Sequence, residues 1–185
     1  KAEKTFARVH RKYQMPAALY RIAGIQVRWN KDQQATRTYE EFAAQYPRHE
    51  LAPRALWQAA KAAERNHRFE SAEHYYAELT KRYPNSDHGE PAAWSVGFML
   101  YCQNQYRQAM EHFGKLAQSL SEPHLVDQSF YWAGKSAERL QLGQRARSYY
   151  INAASGFPRS YYSARALSLG YSEPRKVKPQ MELNI

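Results

Sequence analysis

The chain has 185 residues, a formal net charge of +10 and one cysteine, Cys102. A single cysteine excludes a disulfide within the chain and a cysteine-rich zinc site, and no apolar run approaches the roughly 20 residues of a membrane-spanning helix. The positive charge favours anionic partners such as nucleic acid, a lipid surface or an acidic polymer, or it only keeps a helical surface in solution.

The first element in chain order is a helix over residues 1–14. Its apolar residues Ala2, Phe6, Val9 and Tyr13 recur at helical spacing and form one stripe. No helix precedes it, and the chain begins with Lys1 rather than Met. We therefore expect residues 1–14 to be the second helix of a truncated repeat, in a segment of a longer protein.

An internal repeat begins next. Alanines recur every 37 residues, and an aromatic residue lies four positions after each alanine. The pairs are Ala35 and Tyr39, Ala72 and Tyr76, Ala109 and Phe113, and Ala146 and Tyr150. Sixteen, thirteen, twelve and nine positions before each alanine lie residues that, apart from Gln26, are apolar or small. They are Leu19, Ile22, Ala23 and Gln26; Leu56, Ala59, Ala60 and Ala63; Ala93, Val96, Gly97 and Leu100; and Phe130, Ala133, Gly134 and Ala137. These offsets predict a first helix that packs on a second helix carrying the alanine.

Short polar links and prolines divide the chain. Segments such as NKDQ (30–33) and RNHR (65–68) predict tight turns within each pair of helices. Tyr46-Pro47, Tyr83-Pro84 and Phe157-Pro158 predict the ends of second helices. The predicted repeats are 15–47, 48–84, 85–121 and 122–158. Residues 159–170 begin a further repeat, without the usual loop before Tyr161 and Tyr162, and 171–185 form an extended tail.

The spacing of alanine, aromatic residue, small residue and proline resembles the tetratricopeptide repeat, lengthened here from 34 to 37 residues. This resemblance implies an all-α fold, a right-handed α-α superhelix of helical hairpins. Each hairpin exposes an apolar face that only its neighbour covers.

The sequence contains no pattern of catalytic residues and no metal-binding motif, and we expect no cofactor. Glu70-Ser71 lies at an ordinary helix start. His67 and His74 fall on different sides of a predicted helix start. No Gly-rich phosphate loop and no Gly-x-Ser-x-Gly elbow occurs. We therefore expect no catalytic activity from this chain itself.

The best candidate for a binding site is a row of aromatic residues, fifteen positions before each repeating alanine. The tetratricopeptide resemblance implies that these residues line a concave groove, where rings accept sugars, peptide side chains or bases; packing between repeats is the alternative. Lysine and arginine residues lie further along the same helices. The candidate residues are Tyr20, Trp57, Trp94, Tyr131, Lys61, Lys135, Arg28, Arg65 and Arg139.

Two segments add a narrower resemblance. Residues 128–170 and 92–117 are similar to the superhelical region of soluble lytic murein transglycosylases. The matching residues in the first segment are Tyr131, Trp132, Ala137, Gly143, Ala146, Tyr150, Tyr161, Tyr162, Leu169 and Gly170. Those in the second are Trp94, Tyr106, Ala109, Phe113 and Leu116.

This resemblance implies a periplasmic scaffold that guides peptidoglycan for a lysozyme-like catalytic domain outside this chain. An alternative is a protein-interaction module of a cell-envelope assembly or cell-division protein, which binds a partner protein or peptide. A nucleic-acid-binding repeat is a third hypothesis, suggested by charge alone, and it is weakened because the basic residues form no stripe.

Overall fold

A computed structural model describes residues 2–156 and 160–171 of the chain. Every regular element in these residues is an α-helix. They are α1 (Ala2–Tyr13), α2 (Pro16–Arg28), α3 (Asp32–Gln45), α4 (Ala52–Arg65), α5 (Phe69–Arg82), α6 (Gly89–Cys102), α7 (Tyr106–Leu116), α8 (Pro123–Arg139), α9 (Gly143–Ser155) and α10 (Tyr161–Ser168).

Each helix packs mainly on the helices next to it in the chain, so the fold is a linear array of hairpins. The complete hairpins are α2/α3, α4/α5, α6/α7 and α8/α9, and we number them one to four. We call α2, α4, α6 and α8 the first helices and their partners the second helices. The prediction of an all-helical array of hairpins is confirmed.

The repeating alanine and aromatic residue form the centre of each hairpin. The four alanines are at most 2% exposed, and the four aromatic rings four positions later are at most 4% exposed. The small residues opposite them are also buried, including Ala23 and Ala60 in the first two hairpins. Close approach of the two helices therefore depends on a small residue facing a large ring.

The turn within each hairpin repeats with the same 37-residue period. One residue in each turn has a left-handed backbone, with φ of 56° at Asn30, 54° at His67, 60° at Asn104 and 59° at Gln141. The next residue donates its backbone N–H to a carbonyl five positions earlier, as Lys31 does to Gln26 at 2.9 Å. This hydrogen bond closes the end of the first helix.

The connections between hairpins are less uniform. The Tyr83 hydroxyl donates to the Pro47 carbonyl at 2.7 Å, and Tyr46 donates similarly to Gln14 at 3.3 Å. The third connection has Leu120 and Ser121 in place of tyrosine and proline, and its helix α7 already ends at Leu116. The tyrosine hydrogen bond is therefore missing there.

Several expectations differ from the structure in detail. Ala93 of the predicted stripe is half-buried, and its neighbour Ala92 is buried, as are the equivalent residues Ala18, Ala55 and Ser129 of the other first helices. Of the four stripe residues in α1, Ala2 and Tyr13 are exposed, and Phe6 and Val9 are half-buried. The reason is that α1 packs mainly on α2.

The expected absence of the usual loop before Tyr161 concerns a segment whose residues 157–159 the structure does not describe. Phe157, Pro158 and the tail 172–185 lie outside the described residues.

Candidate functional site

The predicted aromatic row lies on the first helices, and all four side chains are half-buried. Each ring packs on the buried aromatic ring of its own hairpin. The ring centroids are 5.3 Å apart for Tyr20 and Tyr39, 5.2 Å for Trp57 and Tyr76, 5.7 Å for Trp94 and Phe113, and 5.5 Å for Tyr131 and Tyr150. The row therefore packs within hairpins while part of each side chain stays accessible, and its role in binding stays a prediction.

Trp57 also contacts the next hairpin. Its indole stacks on the His88 imidazole, with ring centroids 5.1 Å apart and planes 7° apart. Burial and the nearby Arg54 lower the pKa of His88. A neutral imidazole stacked on an indole joins hairpins two and three through apolar contact rather than charge.

Most of the predicted cations are already paired. Lys61 donates to Glu64 and Lys135 donates to Glu138, both at 2.8 Å, and Arg65 forms an ion pair with Asp32. Such pairs reduce the positive field that a ligand would meet.

The two other predicted cations differ from each other. Arg139 donates to the Tyr101 hydroxyl at 3.3 Å, and its guanidinium lies 5.7 Å from the centre of the Tyr106 ring. Arg28 has no ion pair with any carboxylate in residues 2–156 and 160–171. Arg139 likewise has no ion pair in the described residues, so neither arginine has its charge neutralised by a carboxylate there.

Arg28 lines an open cleft between α2 and α4 that also contains two arginines missing from the predicted set. We call it the basic cleft, and its lining residues are Ala17, Tyr20, Arg21, Gly24, Arg28, Leu51 and Arg54. None of the lining residues is acidic. Arg21 and Arg54, like Arg28, form no ion pair within the part of the chain that the structure describes.

A second cleft adjoins the basic cleft. It lies between α4 and the start of α6, and Trp57, Gln58 and His88 line it together with the acidic residues Glu50 and Asp87. Leu51 and Arg54 line both clefts. The two clefts are therefore neighbours that share Leu51 and Arg54 as lining residues.

Farther along the array, the first helices present rings instead of arginines. We call this set the aromatic surface, and it consists of Trp94, Phe98, Tyr101, Tyr131 and Trp132, all half-buried. Phe98 and Tyr101 contact the Trp132 ring at centroid distances of 4.9 and 5.0 Å. α6 and α8 also contact each other directly, so the rings of hairpins three and four form one cluster.

Other kinds of site receive no support from the described residues. Residues 2–156 and 160–171 bring together no group of three or more His, Cys, Asp or Glu side chains suited to a metal ion. Cys102 is a half-buried thiol whose pKa is raised by burial and by Glu64. None of the described helices is long and apolar enough to span a membrane.

Residues 17–49 and 54–86 match the family described as "Tetratricopeptide repeat". These ranges coincide with hairpins one and two. Hairpins one and two are therefore similar to tetratricopeptide repeats, within an array that is all-helical in the described residues. Hairpins three and four continue the same period and the same buried centre, although the match itself covers only the first two.

Solved structures agree with this fold. The apo form of RapI is similar with a TM-score of 0.70 and 14% identity, over 89% of this chain and 51% of that chain. BtubC (BKLC) from P. vanneervenii is similar with a TM-score of 0.60 and 18% identity, over 92% of this chain and 72% of that chain.

The MamA RS-1 ArsTM double mutant is similar with a TM-score of 0.59 and 19% identity, over 75% of this chain and 74% of that chain. Identities this low indicate a shared fold and nothing narrower. No curated protein sequence matches the chain. The tetratricopeptide part of the sequence resemblance is therefore supported, and the narrower resemblance to lytic transglycosylases has no support from these matches.

Proposed function

We propose that this protein is a scaffold that binds a partner protein along the first helices of its tetratricopeptide hairpins. The observation that carries this proposal is the pair of neighbouring clefts along these helices, which share Leu51 and Arg54 as lining residues. Half-exposed rings and unpaired arginines meet there, and such residues are enriched where proteins bind each other.

Site-specific photo-crosslinking tests this proposal. The photoreactive residue p-benzoylphenylalanine replaces Gln58, which lines the second cleft, and in a matched control it replaces Ala44, which is exposed on the second helix α3. We expect a partner protein to crosslink from position 58 and not from position 44. Crosslinking from position 44 alone would show that the partner binds elsewhere on the array.

A truncation of the aromatic row is a less direct test. Trp57→Ala and Trp94→Ala remove rings that pack on Tyr76 and Phe113, so both changes lower stability as well as binding. Their effect on binding is informative only when thermal unfolding shows that the variants remain folded at the assay temperature.

A second candidate function is a scaffold that positions peptidoglycan in the periplasm for a lytic transglycosylase domain. The sequence resemblance in residues 92–117 and 128–170 supports it, and the basic cleft suits the carboxylates of the peptidoglycan peptides. Co-sedimentation with insoluble peptidoglycan tests it. We expect retention at low salt and release at high salt; a chain that stays in the supernatant at low salt contradicts this candidate.

A further inference from the structure

The four hairpins differ in whether the central ring has a hydroxyl group and in which residue is available to accept a hydrogen bond from it. In hairpin two, the Tyr76 hydroxyl donates to the Glu64 carboxylate at 2.8 Å, and Lys61 donates to the same carboxylate at 2.8 Å. Glu64 lies twelve positions before Tyr76. A buried hydroxyl thus has an acceptor that the first helix of its own hairpin supplies.

Hairpins three and four vary this arrangement. Hairpin four has Glu138 twelve positions before Tyr150, and burial followed by this neighbouring carboxylate raises the pKa of Tyr150, but the buried Tyr150 hydroxyl forms no hydrogen bond with any described residue. Hairpin three has no hydroxyl at its centre, because the ring is Phe113, and the acidic position is occupied by Tyr101. An acid is therefore present where the ring has a hydroxyl and missing where it has none.

Hairpin one breaks this rule. Tyr39 has a hydroxyl, but Val27 occupies the position of Glu64 and Gly24 occupies the position of Lys61. The Tyr39 side chain is 4% exposed, and its hydroxyl has no hydrogen-bond partner among residues 2–156 and 160–171. Burial raises the pKa of Tyr39 to about 12, so the hydroxyl remains a donor at neutral pH.

The unpartnered hydroxyl lies beside the basic cleft. Gly24 lines the cleft, and a β-carbon at Gly24 would lie 3.6 Å from the Tyr39 hydroxyl oxygen. Arg28 and Arg54, which also line the cleft, act electrostatically on Tyr39 and oppose the rise of its pKa. The Tyr39 hydroxyl therefore lies beside the same cleft as three arginines. Among the described residues, the hydroxyl has no acceptor and the arginines have no carboxylate partner.

We infer that the basic cleft binds an acidic segment of the partner protein, and that one Glu or Asp side chain of this segment accepts from Tyr39. This carboxylate takes the place that Glu64 takes beside Tyr76. Arg21, Arg28 and Arg54 supply the positive charge, and guanidinium groups bind carboxylates through paired hydrogen bonds. The inference rests on the proposed function and specifies the chemistry of the partner.

A short oligoglutamate peptide with both ends blocked tests the inference, since such a peptide has carboxylates only on its side chains. Its binding to the full chain is measured by fluorescence anisotropy, with an oligoglutamine peptide as the uncharged control. We expect Arg28→Gln and Arg54→Gln each to weaken binding by about tenfold, the equivalent of one charge-assisted hydrogen bond. Arg37→Gln removes the same charge from the exposed side of α3 and is expected to change binding less than about twofold.

The sharpest variant is Val27→Glu, which gives hairpin one the acid that hairpin two already has. We expect it to weaken oligoglutamate binding by about tenfold or more and to raise the melting temperature, because Tyr39 gains an internal acceptor. The rise should disappear when Tyr39→Phe is added. Val27→Gln, which alters the apolar contact without adding a charge, is the matched control.

Three results would overturn the inference. The first is peptide binding that is unchanged by Arg28→Gln and Arg54→Gln. The second is a Val27→Glu variant that binds the peptide as the natural chain does. The third is tighter binding of an oligothymidylate than of the peptide at the same cleft, which would indicate a phosphate ligand instead. If a partner still crosslinks from position 58 in any of these cases, the proposed function stands and only the inference fails.

Discussion

Hairpins one and two differ from hairpins three and four in the small residue that faces the central ring. It is alanine in the first pair, Ala23 and Ala60, and glycine in the second pair, Gly97 and Gly134. A β-carbon at Gly97 would lie 2.7 Å from the Phe113 ring, and one at Gly134 would lie 2.8 Å from the Tyr150 ring. The helices of the later hairpins are therefore closer together at this point than an alanine would allow.

The surfaces of the two halves differ as well. The first half has the basic cleft and connections closed by tyrosine hydroxyls, whereas the second half has the aromatic surface and a connection closed by a carboxylate. That carboxylate belongs to Glu90, which accepts from the backbone N–H groups of Ser121 at 2.9 Å and Glu122 at 3.1 Å. One repeat period thus supports two kinds of packing and two kinds of surface.

The largest effect is expected from Gly134→Ala. The added methyl group overlaps the fully buried Tyr150 ring, and such overpacking costs about 1–3 kcal/mol of unfolding free energy, partly offset by the higher helix propensity of alanine. Thermal unfolding measures the change. Gly143→Ala is the matched control, since a β-carbon there meets nothing within 4 Å. A Gly134→Ala variant as stable as this control would contradict the difference in helix approach.

A smaller effect is expected from Glu90→Gln, which weakens the third connection. The Ser121 hydroxyl, followed by the backbone N–H groups, lowers the pKa of Glu90 below its ordinary value of 4.5. A lowered pKa stabilises the folded state above pH 4.5, and this stabilisation is lost as the pH falls through the folded value. We expect a loss of roughly 1 kcal/mol or less at pH 7, because the site is exposed to solvent.

The measurement is a comparison of melting temperatures for natural chain and Glu90→Gln at pH 7 and near pH 3. The gap between the two proteins should shrink at the acidic pH. Tyr83→Phe removes a neutral hydrogen bond from the regular connection, and its effect should not change between the same two pH values. A gap for Glu90→Gln that is independent of pH would show that the carboxylate charge has no role.

The smallest effect is expected from Gln141→Gly in the turn of hairpin four. Gln141 has a left-handed backbone at φ 59°, a conformation that costs about 1 kcal/mol for a residue other than Gly, Asn or Asp. Glycine relieves this cost, so we expect a gain of roughly 0.5–1 kcal/mol. Asn30→Gly in hairpin one should gain less, because asparagine tolerates this conformation. Equal gains at both sites would contradict the explanation.

Much of the fold could be predicted from the sequence because the period is regular. A spacing of 37 residues places Ala35 and Ala72 at equivalent points, and a helical offset then identifies the ring that each alanine faces. The early end of α7 at Leu116 could not be predicted, since the sequence has no proline or glycine directly after that residue.

The candidate site was harder to predict. Tyr20 and Arg28 were found because they lie at repeated positions, but Arg54 lies in a different row and reaches the cleft only through the packing of α4 beside α2. The pairing of Lys61 with Glu64 follows from a spacing of three residues on one helix and shows why that cation is a weak candidate. The clearest missed signal was in the sequence itself, namely Val27 at the position of Glu64.

The left-handed residues Asn30, His67, Asn104 and Gln141 have a consequence for how the array can change in length. Because the backbone before and after each of them is the same, a deletion of residues 31–67 joins Asn30 to Arg68 in the local geometry that Lys31 now has. Gene duplication or unequal recombination at these points can add or remove a whole unit without changing the backbone geometry at the junction. Residues outside the buried centre, such as Gly24 and Val27, can then differ between units while the framework of the array stays the same.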